Sequence, residues 1–397
     1  MDAADATPRV PRSRDDDFAP GVIRARRELC TEVAGQPLPA LFGAAVDPGE
    51  ARGNVENFVG FAQVPVGIAG PLPVDTSAGR REVLVPMATN EGALVASHAR
   101  GMRLLAEAGG ARARVLREGL SQNPILVYRD AAQAQRALET VQASLPELHQ
   151  IVSGLTRHGR LVAANPQVLG RRLVLCLVFT TGDAIGINMA ARAAEECSRR
   201  IAERTGAQAR YVHGQDVEKR ANSRALIEGR GRSVVCDAVI PRASLARIAR
   251  STPEEMVAIQ RTYAVGFAQL GTHNWLVQAA NGLAAVLLAC GQDVAYLTEC
   301  ATGALDFDLT EAGDLYASVS LPSILVGTVG GGSQKGTARE CLALLGCSGP
   351  GSANTLAEIL GAVVLAGDLS LMSAFTSHEF VAAHEKLGRN RPTEEPT

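Results

Sequence analysis

RRLVLCLVFTTGDAIGINMAARAAEECSRRIAERTGAQARYVH, residues 171–213, holds two strand patterns around one helix. RRLVLCLVFT (171–180) is a dense apolar run of strand length. TTGDAIGINMAARA (180–193) interrupts it with two glycines and an aspartate, which marks a strand-to-helix turn. NMAARAAEECSRRIAERTG (188–206) places small apolar residues on one face at helical spacing and charges on the other. ARYVH (209–213) closes the stretch as a last strand. Further out, PILVYR (124–129) reads as a strand and AAQAQRALETVQASL as a helix. RLVAANPQV (160–168) reads as a strand joined to 171–180 by a Leu-Gly turn. The order over 124–212 is then β-α-β-β-α-β, a split βαβ arrangement.

That unit is ferredoxin-like, and its strand-like ends predict an insertion into a larger domain. The 397 residues are enough for both. With 46% apolar and 20% charged residues, a sizeable core is available. The expected fold class is α+β: a large mixed helical and sheet domain carrying an inserted ferredoxin-like βαββαβ domain. Residues 1–17 are rich in Pro, Arg and Asp and are expected to be disordered. VIRARRELCTEVAG (22–35) predicts a short amphipathic helix in an N-terminal segment, 18–54. ENFVGFAQVPVGIAGPLPV (56–74) is Gly- and Pro-rich and predicts a tightly turning loop. ATNEGALVASHARGMRLLAEAGG (88–110) predicts a helix capped at Gly109-Gly110. TLAEILGAVVLAGDLSLMSAFTSHEFVAAHEKLG (355–388) predicts one or two long helices, and 391–397 a flexible tail.

The formal net charge of −2 points away from nucleic acid and acidic membrane partners. Eight cysteines show no CxxC pair and no zinc-site spacing, so no metal site is expected. The polar N-terminus lacks an apolar signal core. A cytoplasmic protein with reduced thiols is the expectation. Residues 262–292 carry no formal charge, yet Gln269, His273, Asn274, Gln278 and Asn281 interrupt them. They predict helix buried in a core rather than a membrane span.

Chemistry has a few candidate seats. GTVGGGS (327–333) suits close approach of backbone to a ligand, and TGDAIGIN (181–188) suits phosphate at a helix N-terminus. QDVEKRANSR (215–224) has five charged residues in ten, a pattern that by composition is a solvated run. Glu91 starts an apolar helix pattern. Asp293 follows the long uncharged run, where an acid must be paired or exposed. His384 lies near the chain end, where a moving segment could bring a proton donor. A Glu, a Lys, an Asp and a His with two Gly-rich turns suit a nucleotide-dependent acid/base enzyme. Spacing alone does not join them.

Together ENFVGFAQVPVGIAGPL, MATNEGALVASHARG, TGDAIGIN, IEGRGRSVVCDAVIP, QAANGLAAVLLACGQD, LPSILVGTVGGGS, AGDLSLM and HEKLGRN resemble the 3-hydroxy-3-methylglutaryl-CoA (HMG-CoA) reductase family, more like its class I form. They run in family order over roughly residues 20–390. The resemblance implies a substrate domain over 55–123 and 213–390, with the cofactor domain inserted at 124–212. It implies a homodimer or higher even oligomer with active sites between subunits, and reduction of HMG-CoA to mevalonate with two NADPH. It carries the catalytic roles onto Glu91, Lys219, Asp293 and His384. Lys219 would stabilise the oxyanion of thioester reduction, and Asp293 would favour its charge. Glu91 would donate a proton, and His384 would protonate the departing CoA thiolate. Thr156 and Arg157 fall where class I members hold the 2′-phosphate of NADPH. Asp183, Gly186 and Asn188 match the nucleotide-binding turn, and Gly330, Gly331 and Gly332 the Gly run beside the cofactor. Substrate contacts are implied at Glu56, Asn57, Arg220, Asn281 and Gln122.

Departures cluster around substrate. The family's Asp-Lys-Lys-Pro is Glu218-Lys219-Arg220-Ala221 here. Val212 or His213 stands for a substrate-contacting Ser, and Gln122 for an Arg. The position of the family's regulatory Ser holds Asn390, so that phosphorylation switch is not expected. Three readings follow: an NADPH-dependent HMG-CoA reductase, a relative reducing another acyl thioester, and a CoA- or nucleotide-binding dimer without turnover.

Overall fold

Two sheets organise the computed structural model, which describes residues 11, 13, 15–16, 18–34, 42–43, 46–212 and 219–377. The large sheet holds β1 (Val66–Thr76), β2 (Gly79–Ala88), β3 (Ala111–Gln122), β5 (Arg160–Ala164), β8 (Leu177–Thr180), β10 (Gly231–Ile240), β11 (Ala304–Leu309) and β12 (Leu315–Ile324). Its order is β11-β12-β10-β3-β1-β2, with β8 also paired to β3 and carrying β5. The small sheet holds β4 (Ile125–Val127), β6 (Gln167–Leu169), β7 (Arg172–Val174) and β9 (Ala209–Tyr211). Its antiparallel order, β6-β7-β4-β9, is that of a split βαβ.

The two strands read at 160–168 and 171–180 are each two strands in the structure. Pro166 has no amide to give a ladder, and Cys176 sits at φ 47, so neither run continues straight. The chain therefore passes from the large sheet to the small one after β5 and returns before β8. The loop read at 56–74 becomes strand from Val66. Pro71 lies at an irregularity between Ala69 and Leu72, and β1 pairs β3 only at Val74 and Asp75. That open edge tolerates proline.

Helix α1 (Pro20–Ala34) forms as its pattern predicts, and Ile23 packs there with Ala51 and Phe58 in a small separate core. α2 (Leu94–Glu107) starts later than predicted, because Ala93 takes a left-handed φ of 69. It ends as expected: Gly109 and Gly110 have φ of 84 and 104, and their amides bond back to Ala106 and Leu105. α3 (Ala131–Ala143) is followed by a helix the pattern did not give, α4 (Leu145–Leu155), restarted by Pro146 in its first turn. α5 (Ile187–Thr205) buries its Ala190, Ala193, Ala194, Cys197 and Ile201 stripe.

The uncharged run 262–292 divides between α6 (Pro253–Leu270) and α7 (Ala279–Ala289). α7 is mostly buried as expected; α6 leaves Val265 and Leu270 exposed. The core is built around α8 (Ala353–Thr376). By length and apolar composition α8 matches a membrane span, but 83% of its apolar window is buried inside the fold. α2 crosses α8 so closely that a Cβ on Gly101 would lie 1.8 Å from the Ala366 carbonyl oxygen. The predicted extension of this helix past residue 377, like the two termini, lies outside the described residues.

Candidate active site

A cleft of about 680 Å³ opens where three turns meet. One is the β8–α5 turn, residues 181–186, with Gly186 left-handed at φ 77 as the helix cap. The second is the Gly run after β12. The third is Gly291-Gln292-Asp293 after α7. Glycines lock these backbones together. A Cβ on Gly327 would come 2.8 Å from the Ile185 amide, and one on Gly291 would come 2.4 Å from the Gly332 carbonyl. Gln292 accepts from the Gly327 N–H at 2.9 Å and donates to its carbonyl at 3.0 Å. Gly330 and Gly331, at φ 77 and 57, have no atom within 4 Å of an added Cβ. The wall is thus bare backbone, which lets a ligand approach main-chain donors.

Lys219 stands at this cleft. Its Nζ donates to Asp293 Oδ2 at 2.7 Å and lies 4.8 Å from the centre of the Tyr296 ring. Asp293 caps the short turn Val294–Tyr296, its Oδ1 accepting the Ala295 N–H at 3.0 Å. One oxygen of that carboxylate is therefore fixed by backbone while the other meets the lysine. The pair is half exposed, with side chains 39% and 46% accessible. An ion pair this open adds at most about 1 kcal/mol to stability. Lys219 itself is left-handed, at φ 63, which costs a non-glycine residue about 1–2 kcal/mol. The geometry presents a cation to the cleft at some conformational cost.

Several predicted residues join this cleft and others do not. Gly186, Asn188, Gly330, Gly331 and Gly332 line it with Lys219 and Asp293. Asp183 does not line it. Its carboxylate accepts the Gly351 and Ala353 amides at 2.7 and 3.0 Å, at the start of α8. Thr156 ends α4, and its Oγ1 accepts the Gly159 amide at 3.1 Å, leaving Arg157 exposed. That turn abuts the cleft wall, since a Cβ on Gly159 would lie 2.4 Å from Met189 Cε.

Glu91 is exposed ahead of α2, its N–H bonded to Thr89 Oγ1, and is not part of the cleft lining. Glu56 and Asn57 lie in the loop before β1, Asn57 at φ 52; it is Asn54 nearby that lines the cleft. Arg220 is exposed beside Lys219, and Asn281 is exposed in the first turn of α7. Gln122 is only 3% exposed, in β3 opposite Leu177. His384, His213 and Glu218 lie outside the described residues.

Lys335 also lines the cleft, and no motif in the sequence marks it. A compositional signal was available: of 39 Lys and Arg residues, three are lysine (Lys219, Lys335 and Lys386), and two of these three share the cleft.

A lysine–carboxylate pair beside a glycine-walled cleft can polarise a carbonyl brought into it. The family profile described as hydroxymethylglutaryl-coenzyme A reductase matches residues 22–389, and the chain belongs to that family. Among its relatives, the 3-hydroxy-3-methylglutaryl-coenzyme A reductase of Aeropyrum pernix is 39% identical over 92% of this chain and 89% of its own. The enzyme of the same name from Pyrococcus abyssi is 36% identical over 92% and 94%. A solved structure of the class II reductase from Streptococcus pneumoniae, bound to NADPH in open conformations, superposes with a TM-score of 0.69. It covers 92% of this chain and 97% of that one at 20% identity, and so shows the shared fold.

Proposed function

We propose that this chain reduces the thioester of HMG-CoA to the primary alcohol of mevalonate, releasing CoA and consuming two NADPH. The observation that carries the reading is Lys219, held by Asp293 and Tyr296 at the glycine-walled cleft. The residues present fit NADPH. Bare backbone at 330–332 and the start of α5 suit the pyrophosphate. Thr156 and Arg157, on the turn against Met189, suit the 2′-phosphate. NADPH, when bound, supplies the hydride. Lys219 stabilises negative charge building on the carbonyl oxygen. Asp293 orients the ammonium and keeps it turned to the cleft. Glu91 donates the proton to the reduced carbonyl oxygen, and His384 protonates the CoA thiolate as it leaves. Arg220 pairs the free carboxylate of the substrate.

The working form is a cytoplasmic homodimer with sites between subunits. Two observations support the pairing of subunits. Glu91 does not line the cleft holding Lys219, so a second copy is the natural source of that carboxyl. An apolar groove of about 620 Å³ also lies open elsewhere, flanked by exposed Leu116, Ile227 and Trp275.

The test is NADPH oxidation by purified protein with HMG-CoA. Two NADPH consumed per CoA released is the expected result. Oxidation with a different acyl thioester alone would move the substrate, and binding without oxidation by any thioester would overturn the activity.

A further inference from the structure

We infer that Glu299 is a positioning residue for the reaction, holding the backbone of Lys219 in the left-handed conformation that aims its ammonium into the cleft. The inference rests on the reading of Lys219 given above. Asp293 and Tyr296 act on the tip of the lysine, at Nζ. Neither fixes its main chain, which occupies a region that side chains avoid, at φ 63. The Lys219 N–H donates to Glu299 Oε1 at 2.6 Å. An amide bonded to a carboxylate is among the stronger hydrogen bonds a backbone makes.

Glu299 is itself immobilised. It is 2% exposed, in the short helix Leu297–Cys300 that follows the Asp293 turn. Arg230 Nη1 donates to both of its oxygens, at 3.1 and 3.3 Å. The Arg230 N–H in turn donates to Ser323 Oγ at 3.0 Å, tying the pair to β12 beside β10. Two carboxylates six residues apart in sequence, Asp293 and Glu299, thus hold the two ends of one lysine. A purely structural ion pair would be complete with Arg230 and Glu299 alone. The added bond to Lys219 spends a buried carboxylate lone pair on a strained residue at the cleft. Without it, Lys219 relaxes toward ordinary φ, and the side chain leaves along a different direction.

The test uses the small number of lysines. Protein labelled with 13C at lysine Cε gives one cross-peak each for Lys219, Lys335 and Lys386, assigned through Lys→Arg variants. Glu299→Ala is expected to move the Lys219 peak toward the position of a free lysine and leave Lys335 in place. In the same variant kcat falls on the order of 10- to 100-fold, as a misplaced catalytic group gives, while KM for NADPH holds. Glu299→Gln keeps one acceptor oxygen for the Lys219 N–H and recovers part of kcat.

Removing Glu299 alone strands a buried arginine and endangers folding. The double variant Glu299→Ala/Arg230→Met removes the charge pair together and still removes the bond to Lys219. It too should lose kcat and shift the Lys219 peak. An unmoved Lys219 peak, or wild-type kcat in the double variant, overturns the positioning role. If Lys219→Arg retains full activity while Glu299→Ala still moves the peak, the catalytic reading of Lys219 fails and the positioning contact stands.

Discussion

The proposed oxyanion role of Lys219 rests on few atoms. Its ammonium meets one carboxylate and one aromatic face, both on the turn after α7. Lys219→Ala should cut kcat for HMG-CoA reduction by about 10²–10³ or more, the scale of losing one oxyanion donor. Steady-state rates at saturating NADPH check this, and retained turnover would remove Lys219 from that role. Arg157 makes a separable claim. It is exposed on the turn packed against Met189. Arg157→Ala should raise KM for NADPH by about tenfold or more, from one lost charge-assisted contact, and leave KM for NADH nearly unchanged. Equal effects on both nucleotides would place the 2′-phosphate elsewhere. Asp183 shows that a motif residue can also serve the fold. Both of its carboxylate oxygens accept amides at the start of α8, which anchors the β8–α5 turn to the core helix.

Elements explain which parts of this were legible in sequence. α5 and its flanking strands were, because amphipathic spacing over nineteen residues has one solution. The Gly109-Gly110 stop was, because two left-handed residues in a row need glycine. The breaks at Pro166 and Cys176 were not, because sheet membership depends on partners remote in the chain. The Lys219–Asp293 contact was not, since 74 residues separate the two and only the family's pattern joined them. The helix crossing at Gly101 was equally silent. Gly101→Ala must push α2 from α8 and should lower unfolding stability by about 3 kcal/mol, read by denaturant titration.

The N-terminus of α7 carries a further cost hidden from sequence. Asp368 of α8 accepts the Gln278 amide at 2.8 Å from a fully buried position, and burial pushes its carboxyl up to about 7. Between about pH 4 and pH 7 the native state therefore keeps a proton that the unfolded state has released, and stability falls as pH rises. His98 runs the other way. Burial pushes its imidazole down to about 4, so its contribution is present above pH 6.5 and lost as pH falls through 4. The opposed slopes largely cancel in the wild type. Asp368→Asn retains an acceptor and removes one of them. The variant should gain on the wild type by on the order of 3 kcal/mol between pH 4 and pH 7, seen in paired unfolding curves. A pH-independent difference would mean that Asp368 is ionised in the fold.

At the scale of the whole molecule, the described residues of one chain bring together only part of the proposed catalytic set. The cleft holds Lys219 and Asp293, and Glu91 lies outside its lining. If Glu91 reaches the site from a second copy, twofold symmetry makes a quantitative demand. Take Lys219→Ala and Glu91→Ala, each inactive as a homodimer. In a mixed dimer, one site receives both damaged residues and the other receives both intact ones. Random pairing on co-expression makes half the dimers mixed, each with one working site, so about a quarter of wild-type activity returns. If both residues act within one subunit, every site in every dimer carries a lesion and nothing returns. A substitution on the exposed apolar groove, Ile227→Asp, should lower activity in parallel with dimer mass in solution if that groove is the dimer face. Activity surviving in a monomer would assign Glu91 to its own chain's site and leave the groove without a catalytic role. The complementation ratio therefore decides whether Glu91 acts at the site of its own chain or at that of a second copy.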